Sequence, residues 1–207
     1  MQKNRSAASV VQSLLDIKCW QRCLPTVAEA RPGCCPMCNA ASCPVGLCIQ
    51  LHGHGTRERQ VWGPAAPGAQ PVLMTVTARR YRCVPCGAVI IVVPSEVRGR
   101  RVYSASAIGF ALALWGLVLA TAAEVRRRVC PARILGGDAA AGWATLRRWA
   151  RDLALRRLFP STPETLSSGS LRGVAAKAAA ALAASADPTT RALPIEHRAF
   201  LGAAHAA

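Results

Sequence analysis

Two cysteine pairs of the form CxxC, Cys35-Pro36-Met37-Cys38 and Cys83-Val84-Pro85-Cys86, constrain this chain more than any other feature. A two-residue spacer lets both sulfurs of one turn point at a single ion while nearby backbone N–H groups stabilise the thiolate charge. Each pair is followed by a residue tolerant of left-handed backbone, Asn39 and Gly87, so each reads as a tight knuckle. Two knuckles brought together by a sheet supply the tetrahedral donor set that zinc prefers. Because protein sulfur fills all four positions, none remains for water. The expectation is therefore one structural zinc ion on Cys35, Cys38, Cys83 and Cys86, and no catalysis at it. A thioredoxin-like redox pair needs one CxxC at a helix start within a βαβ pattern, and neither pair has that setting.

The other cysteines are less determined. Cys34 stands as an alternative to Cys35, and Cys43, Cys48, His52 and His54 are material for a second metal site that spacing alone does not establish. Cys19, Cys23 and Cys130 read as structural. Ten cysteines suit a disulfide-stapled secreted domain when an export signal is present. Here the first fifteen residues carry Lys3 and Arg5 ahead of a broken, Ser-rich apolar stretch, which is not such a signal. The expectation is a cytoplasmic, nucleoid-associated protein whose paired cysteines are metal ligands.

Charge points to a polyanionic partner. The net charge is +16, of which +8 falls in residues 1–100, +7 in 101–160 and +1 in 161–207. Arginine and lysine that neutralise phosphates release condensed counterions, so nucleic acid is the natural partner and membrane headgroups the competing one. The chain has 23 Arg and three Lys, a bias that GC-rich coding produces unaided, so the excess of charge is the signal and the choice of Arg is not. The ten acidic residues are scattered singly, none in a β-like run with a matching partner, so the carboxylate cluster that two-metal strand-transfer chemistry needs is missing. No Ser/His/Asp motif or phosphate-cradling Gly loop appears either. The chain reads as a non-enzyme.

The fold class read from patterning is α+β. The N-terminal segment, residues 1–30, is expected to form a short helix over 9–19 that buries Val10, Leu14 and Ile17. Residues 31–95 read as a zinc ribbon, a small antiparallel sheet with strands near 45–51, 72–82 and 88–93 and a Gly-rich turn after the first. Residues 101–159 read as a three-helix, helix-turn-helix-like domain with helices near 104–119, 121–130 and 139–158, opened by Ser104, Thr121 and Asp138 as N-caps. Residues 160–207 read as a low-complexity tail with one Ala-rich helix around 171–184. Residues 102–123 contain no charged side chain, which is long enough to span a bilayer. Its serines, glycines and alanines favour a buried helix followed by the start of a second.

The third helix carries most of the functional signal. At about 100° per residue, Trp143, Leu146, Trp149, Ala150 and Leu153 gather on one side and Arg147, Arg148 and Arg151 on the other. In a helix-turn-helix the second helix enters the major groove, its early residues touching bases while flanking residues clasp phosphates. Thr145, Arg147, Arg148 and Arg151 suit the first task. Arg126 and Arg127 on the second helix, with Arg79 and Arg80 on the ribbon, suit the second. The plainer reading is an amphipathic helix with a solvated arginine face.

Several stretches together resemble a known group: RPGCCPMC, LHGHGTRERQ, RRYRCVPCGAVIIVVP, YSASAIGFALALWG and GWATLRRWARD. They resemble a family of uncharacterised bacterial proteins in which a zinc ribbon precedes a helix-turn-helix. That family is similar to the N-terminal or accessory parts of insertion-sequence transposases. The resemblance covers about residues 31–158. It implies sequence-specific binding of double-stranded DNA near a mobile element, with a transposase or recombinase as partner, and does not imply strand transfer. Two other readings stay open, a zinc-ribbon module that bridges proteins and a membrane-anchored zinc protein held by residues 102–123.

Overall fold

A computed structural model describes residues 9–99, 101–132, 143–162 and 169–206. It is a mixed α and β structure in two compact units. The first takes in the chain to Gln60 and then Thr75–Arg101. The second takes in Val61–Met74 and the chain from Val102 onward.

A four-stranded sheet in the order β1-β4-β3-β2 organises the first unit, formed by β1 (Ser9–Gln12), β2 (Leu51–Pro64), β3 (Pro71–Cys83) and β4 (Val89–Val93), with the end of β2 from Val61 and the start of β3 up to Met74 counted in the second unit. Strand β4 is an unbroken β-branched run, buried from Ile90 onward, as befits a strand paired on both sides. It runs antiparallel to β3, with Arg80 opposite Ile91, and parallel to β1, with Val10 opposite Ile91. The sheet is thus mixed, where the sequence led us to expect an antiparallel one.

Three further expectations for this unit fail. The strand expected near 45–51 is absent up to Gln50, where the chain turns with the Leu47 N–H donating to the Pro44 carbonyl at 3.2 Å, and β2 begins only at Leu51. Residues 9–12 form strand β1, and the helix, α1 (Ile17–Arg22), starts only after Asp16, whose carboxylate accepts from the Cys19 N–H at 2.7 Å. Val10 and Val11 gain more by extending beside β4 than from a helical turn, and Leu14, expected inside, is fully exposed. The predicted Gly-rich turn is the body of β2. Residues 52–58 are exposed, so hydrogen bonding to β3, not burial, holds this stretch extended.

One face of β3 shows why α1 belongs to the unit. Thr77, Arg79 and Tyr81 alternate onto one side of the strand. The Trp20 indole N–H donates to the Thr77 carbonyl at 2.8 Å, Arg79 Nε to the Pro25 carbonyl at 2.8 Å, and Tyr81 Oη to the Val27 carbonyl at 2.8 Å. Trp20 thus fastens α1 to the sheet, and the polar tips of Arg79 and Tyr81 strap down the segment after it.

The second unit is helical: α2 (Ala105–Gly116), α3 (Ala122–Val129), α4 (Ala144–Ala154), α5 (Leu171–Ala184) and α6 (Ile195–His205). Helix α2 is buried on every side except at Trp115, because α5 and α6 both lie against it. A helix apolar all round must be covered in this way. The approach is close where residues are small: a Cβ on Gly109 would meet Ala199 and Ala203 of α6, and one on Gly116 would meet the backbone of α5 at Ala176.

The helices expected at 104–119 and 121–130 are present in shortened form, capped as anticipated by Ser104 and Thr121. The third is observed over Ala144–Ala154; Asp138, its expected cap, and residues 139–142 lie outside the described residues. The helix at 171–184 has the expected bounds. What differs is its role. It packs on α2 and α4, and a further helix, α6, completes the core, so residues 171–206 are no tail. The uncharged run at 102–123 is divided after Gly116, with Leu119 in left-handed backbone at φ 62°. Among the described residues no helix is long and apolar enough to cross a membrane.

Tyr103 anchors an aromatic cluster at the entrance to α2. Its ring meets those of Trp62, Trp143 and Trp149 edge-to-face at 5.6, 5.7 and 5.1 Å. Trp149 and Trp143 are the apolar side of α4 foreseen from its periodicity, and both are buried.

Candidate metal centre

The two CxxC segments fold into matching turns. In the first, Cys35 N–H donates to the Ala40 carbonyl at 2.9 Å and Asn39 N–H to the Cys35 carbonyl at 2.8 Å. In the second, Cys83 N–H donates to the Ala88 carbonyl at 2.9 Å and Gly87 N–H to the Cys83 carbonyl at 2.9 Å. Asn39 and Gly87 take φ values of 57° and 71°, the left-handed backbone their residue types suggested. Cys83 ends β3 and Val89 begins β4, so the sheet itself holds the second turn. The first is tied back by Gln50, whose carbonyl accepts from the Val84 N–H at 2.9 Å and whose N–H donates to Ser42.

These turns bring the four predicted sulfurs together. All lie within 4.8 Å of one another, Cys35 to Cys86 and Cys38 to Cys83 at 3.7 Å. Cys35 and Cys83 are buried, and Cys38 and Cys86 are exposed. The thiols titrate apart. Burial pushes both buried thiols up; at Cys83 this prevails over the Cys86 N–H and, with the neighbouring sulfurs, raises the pKa to about 12. At Cys35 the N–H groups of Met37 and Cys38 and the Cys83 and Cys38 thiols outweigh burial and lower it to about 7. Four sulfurs this close cannot all carry charge without a cation among them. The group can hold one metal ion, with sulfur as every donor.

Among the described residues this is the sole cluster of three or more metal-binding groups. Cys35, not its neighbour Cys34, faces the other three sulfurs. Cys34 is exposed in a bridge to Ala41. Cys43, Cys48, His52 and His54 do not assemble a second cluster; Cys43 Sγ accepts instead from Arg31 at 3.3 Å. Cys19 and Cys23 are exposed on and just after α1, and Cys130 is buried at the end of α3.

The arginines singled out for DNA fall into distinct settings. Arg147, Arg148 and Arg151 are exposed on α4, opposite its buried Leu146, Trp149, Ala150 and Leu153, and Thr145 is half-buried in the first turn. Helix α4 opens at Trp143 without a side-chain cap. On α3, Arg127 is exposed, Arg126 half-buried, and the Arg128 guanidinium lies 4.9 Å over the Phe110 ring. In the other unit, Arg79 is spent on the Pro25 carbonyl and Arg80 is half-buried opposite Ile91. Sequence reasoning passed over Trp115 and Arg172, which meet in the helical unit with the Arg172 guanidinium 5.5 Å over the indole. Arg172 lies in the stretch that reads as tail, and nothing local in the sequence links it to α2.

Comparison of the chain with models of protein families, with curated proteins and with solved structures finds no match.

Proposed function

We propose that Cys35, Cys38, Cys83 and Cys86 hold one structural zinc ion, and that the protein is a non-catalytic DNA-binding protein, an accessory or regulator of a mobile element. The observation that carries the metal reading is the convergence of four sulfurs within 4.8 Å on two matching turns. An all-sulfur tetrahedral donor set suits zinc, and its closure leaves no coordination position for a reacting water. Binding of the ion joins two turns that are 45 residues apart in the chain, counted from Cys38 to Cys83, so metal affinity becomes folding free energy of the first unit.

The DNA reading rests on α4. Its buried side is fastened to the helical core while three guanidinium groups stand on the other. Arg147 and Arg148, early in the helix, suit base edges; Arg127 and Arg80 suit phosphate. The resemblance of residues 31–158 to accessory parts of insertion-sequence transposases favours a site near a mobile element, with its transposase or recombinase as partner. A second reading, a zinc-held module that grips a protein, draws on Met37, Leu47 and Val84, large apolar side chains left exposed around the turns.

One set of measurements separates these. Metal analysis is expected to find about one zinc per chain. Binding to selected and scrambled duplexes across a salt series is expected to show a preferred sequence. Arg148→Ala should lose about 1–3 kcal/mol of that preference, whereas Arg127→Ala should weaken all duplexes alike and reduce the salt slope by about one. A wild type that prefers no duplex, or an Arg147→Ala, Arg148→Ala double variant with preference intact, would overturn the DNA reading and advance the second.

A further inference from the structure

The helical unit contains a cleft of about 360 Å³ that neither the sulfur cluster nor the outward face of α4 explains. Trp115 at the end of α2, Thr121 at the start of α3, Trp143 and Arg147 at the start of α4 and Arg172 in the first turn of α5 line it, with Leu146 between them. We propose that this cleft binds a nucleoside monophosphate unit, presented either as a free mononucleotide or as an unpaired nucleotide of a strand.

The lining has the two halves of that chemistry. Arg147 and Arg172 bring two guanidinium groups, and among the described residues no acidic side chain lines the cleft. The nearest carboxylate on α3, Glu124, is folded back on its own turn, accepting from the Thr121 N–H at 2.7 Å and from Thr121 Oγ1 at 2.8 Å. Arg172 is already oriented, its guanidinium carbon 5.5 Å over the Trp115 ring and its Nη2 donating to the Ala120 carbonyl at 3.4 Å. A guanidinium held by stacking loses little freedom when its N–H fork takes a phosphate in two parallel hydrogen bonds. The second half is aromatic. Trp115 is only partly buried, and the indole and the guanidinium plane on it offer the kind of surface on which nucleobases stack. A bare phosphate would leave these surfaces unused.

Size and shape set the form of the ligand. The cleft lies near the lower end of the about 300–1,000 Å³ range of small-molecule pockets, which suits one base with one phosphate. A paired base is held inside its duplex and reaches such a cleft only when turned out of the stack. The ligand is therefore a nucleotide free of its partner. This goes beyond duplex binding by the outward face of α4. Arg147 borders both sites, so the test turns on Arg172 and Trp115, which belong to α5 and α2.

The test is equilibrium dialysis of the full-length, metal-loaded chain against adenosine monophosphate, adenosine and inorganic phosphate. A single-stranded oligonucleotide and its duplex follow as competitors. Adenosine monophosphate should bind at least about tenfold more tightly than adenosine or phosphate, since each supplies half of the contacts. Arg172→Ala, at an exposed position, should weaken it about tenfold without changing thermal unfolding, and Arg172→Lys should restore charge but not affinity. Arg22→Ala on α1 serves as the charge control and should change nothing. A single strand that competes more strongly than the mononucleotide identifies the ligand as part of a strand; a weaker one identifies it as free. Equal affinity for phosphate and mononucleotide, or undiminished binding by both Arg172→Ala and Trp115→Leu, overturns the proposal. Duplex binding lost with mononucleotide binding kept would count against the DNA reading alone, and the reverse against this one alone.

Discussion

Cys35 and Cys83 are the buried members of the sulfur cluster, and their roles differ from those of Cys38 and Cys86 at its rim. Cys83 is both the last residue of β3 and one of the four clustered sulfurs, so under the proposed metal binding its loss would remove a ligand and the cross-link at the end of the strand. Cys83→Ser is expected to lose the metal and most of the order of the two turns, whereas Cys43→Ser, at an exposed thiol outside the cluster, should keep both. Metal content by elemental analysis and the unfolding midpoint measure this. A Cys83→Ser protein that retains zinc and native stability sinks the assignment. The same residue scale explains the choice between Cys34 and Cys35. Adjacent residues in a tight turn point in different directions, and only Cys35 lies on the inside of the turn that Asn39 closes.

At the scale of elements, helix ends carry testable chemistry. Thr121 and Glu124 form a reciprocal capping box on α3, the hydroxyl accepting from the Glu124 N–H while the carboxylate accepts from the Thr121 N–H. The Thr121 N–H, then its hydroxyl, hold the Glu124 carboxyl below its ordinary value of 4.5. A carboxyl depressed in the folded state contributes stability that is present above the unfolded value and lost as pH falls through the folded one. Glu124→Gln should therefore unfold at a lower temperature than wild type at about pH 7, and the two should converge on acidification to about pH 3. A gap that stays constant between these pH values would show that the charge does not matter to the cap. Helix α4 has no such cap, and its position is set by Trp143, Leu146, Trp149 and Leu153 on the buried side.

For the whole molecule, the consequential feature is that α5 and α6 cover α2. Phe110 of α2 meets Phe200 of α6 edge-to-face at 6.2 Å, and Val174 and Leu182 of α5 are buried in the same core. A chain ending at Pro160 would leave α2 facing water with several large side chains, each worth about 1.5–3 kcal/mol when buried. Such a truncation is expected to aggregate or to lose cooperative unfolding in the helical unit. Hydrogen exchange at α2 amides reads this directly. Native-like protection of α2 in the shortened chain would mean that the terminal helices are dispensable.

The parts of this protein legible in its sequence are those whose cause is local. The two CxxC turns with Asn39 and Gly87 after them, the caps at Ser104 and Thr121, the two-sided pattern of α4 and the bounds of α5 each depend on residues within a turn or two. Tertiary structure decided the rest, because the deciding partner was far away in the chain. Residues 9–12 became a strand because β4 offered an edge, and residues 52–60 became one through hydrogen bonding to β3, which leaves no mark in a polar, glycine-containing stretch. The alanines of α5 looked like tail because small side chains show little amphipathic contrast. Their burial comes from close approach to α2 at Gly116, and no local pattern records that approach. The meeting of Trp115 with Arg172 has the same origin, since only the docking of α5 on α2 brings an indole and a guanidinium 57 residues apart into one cleft.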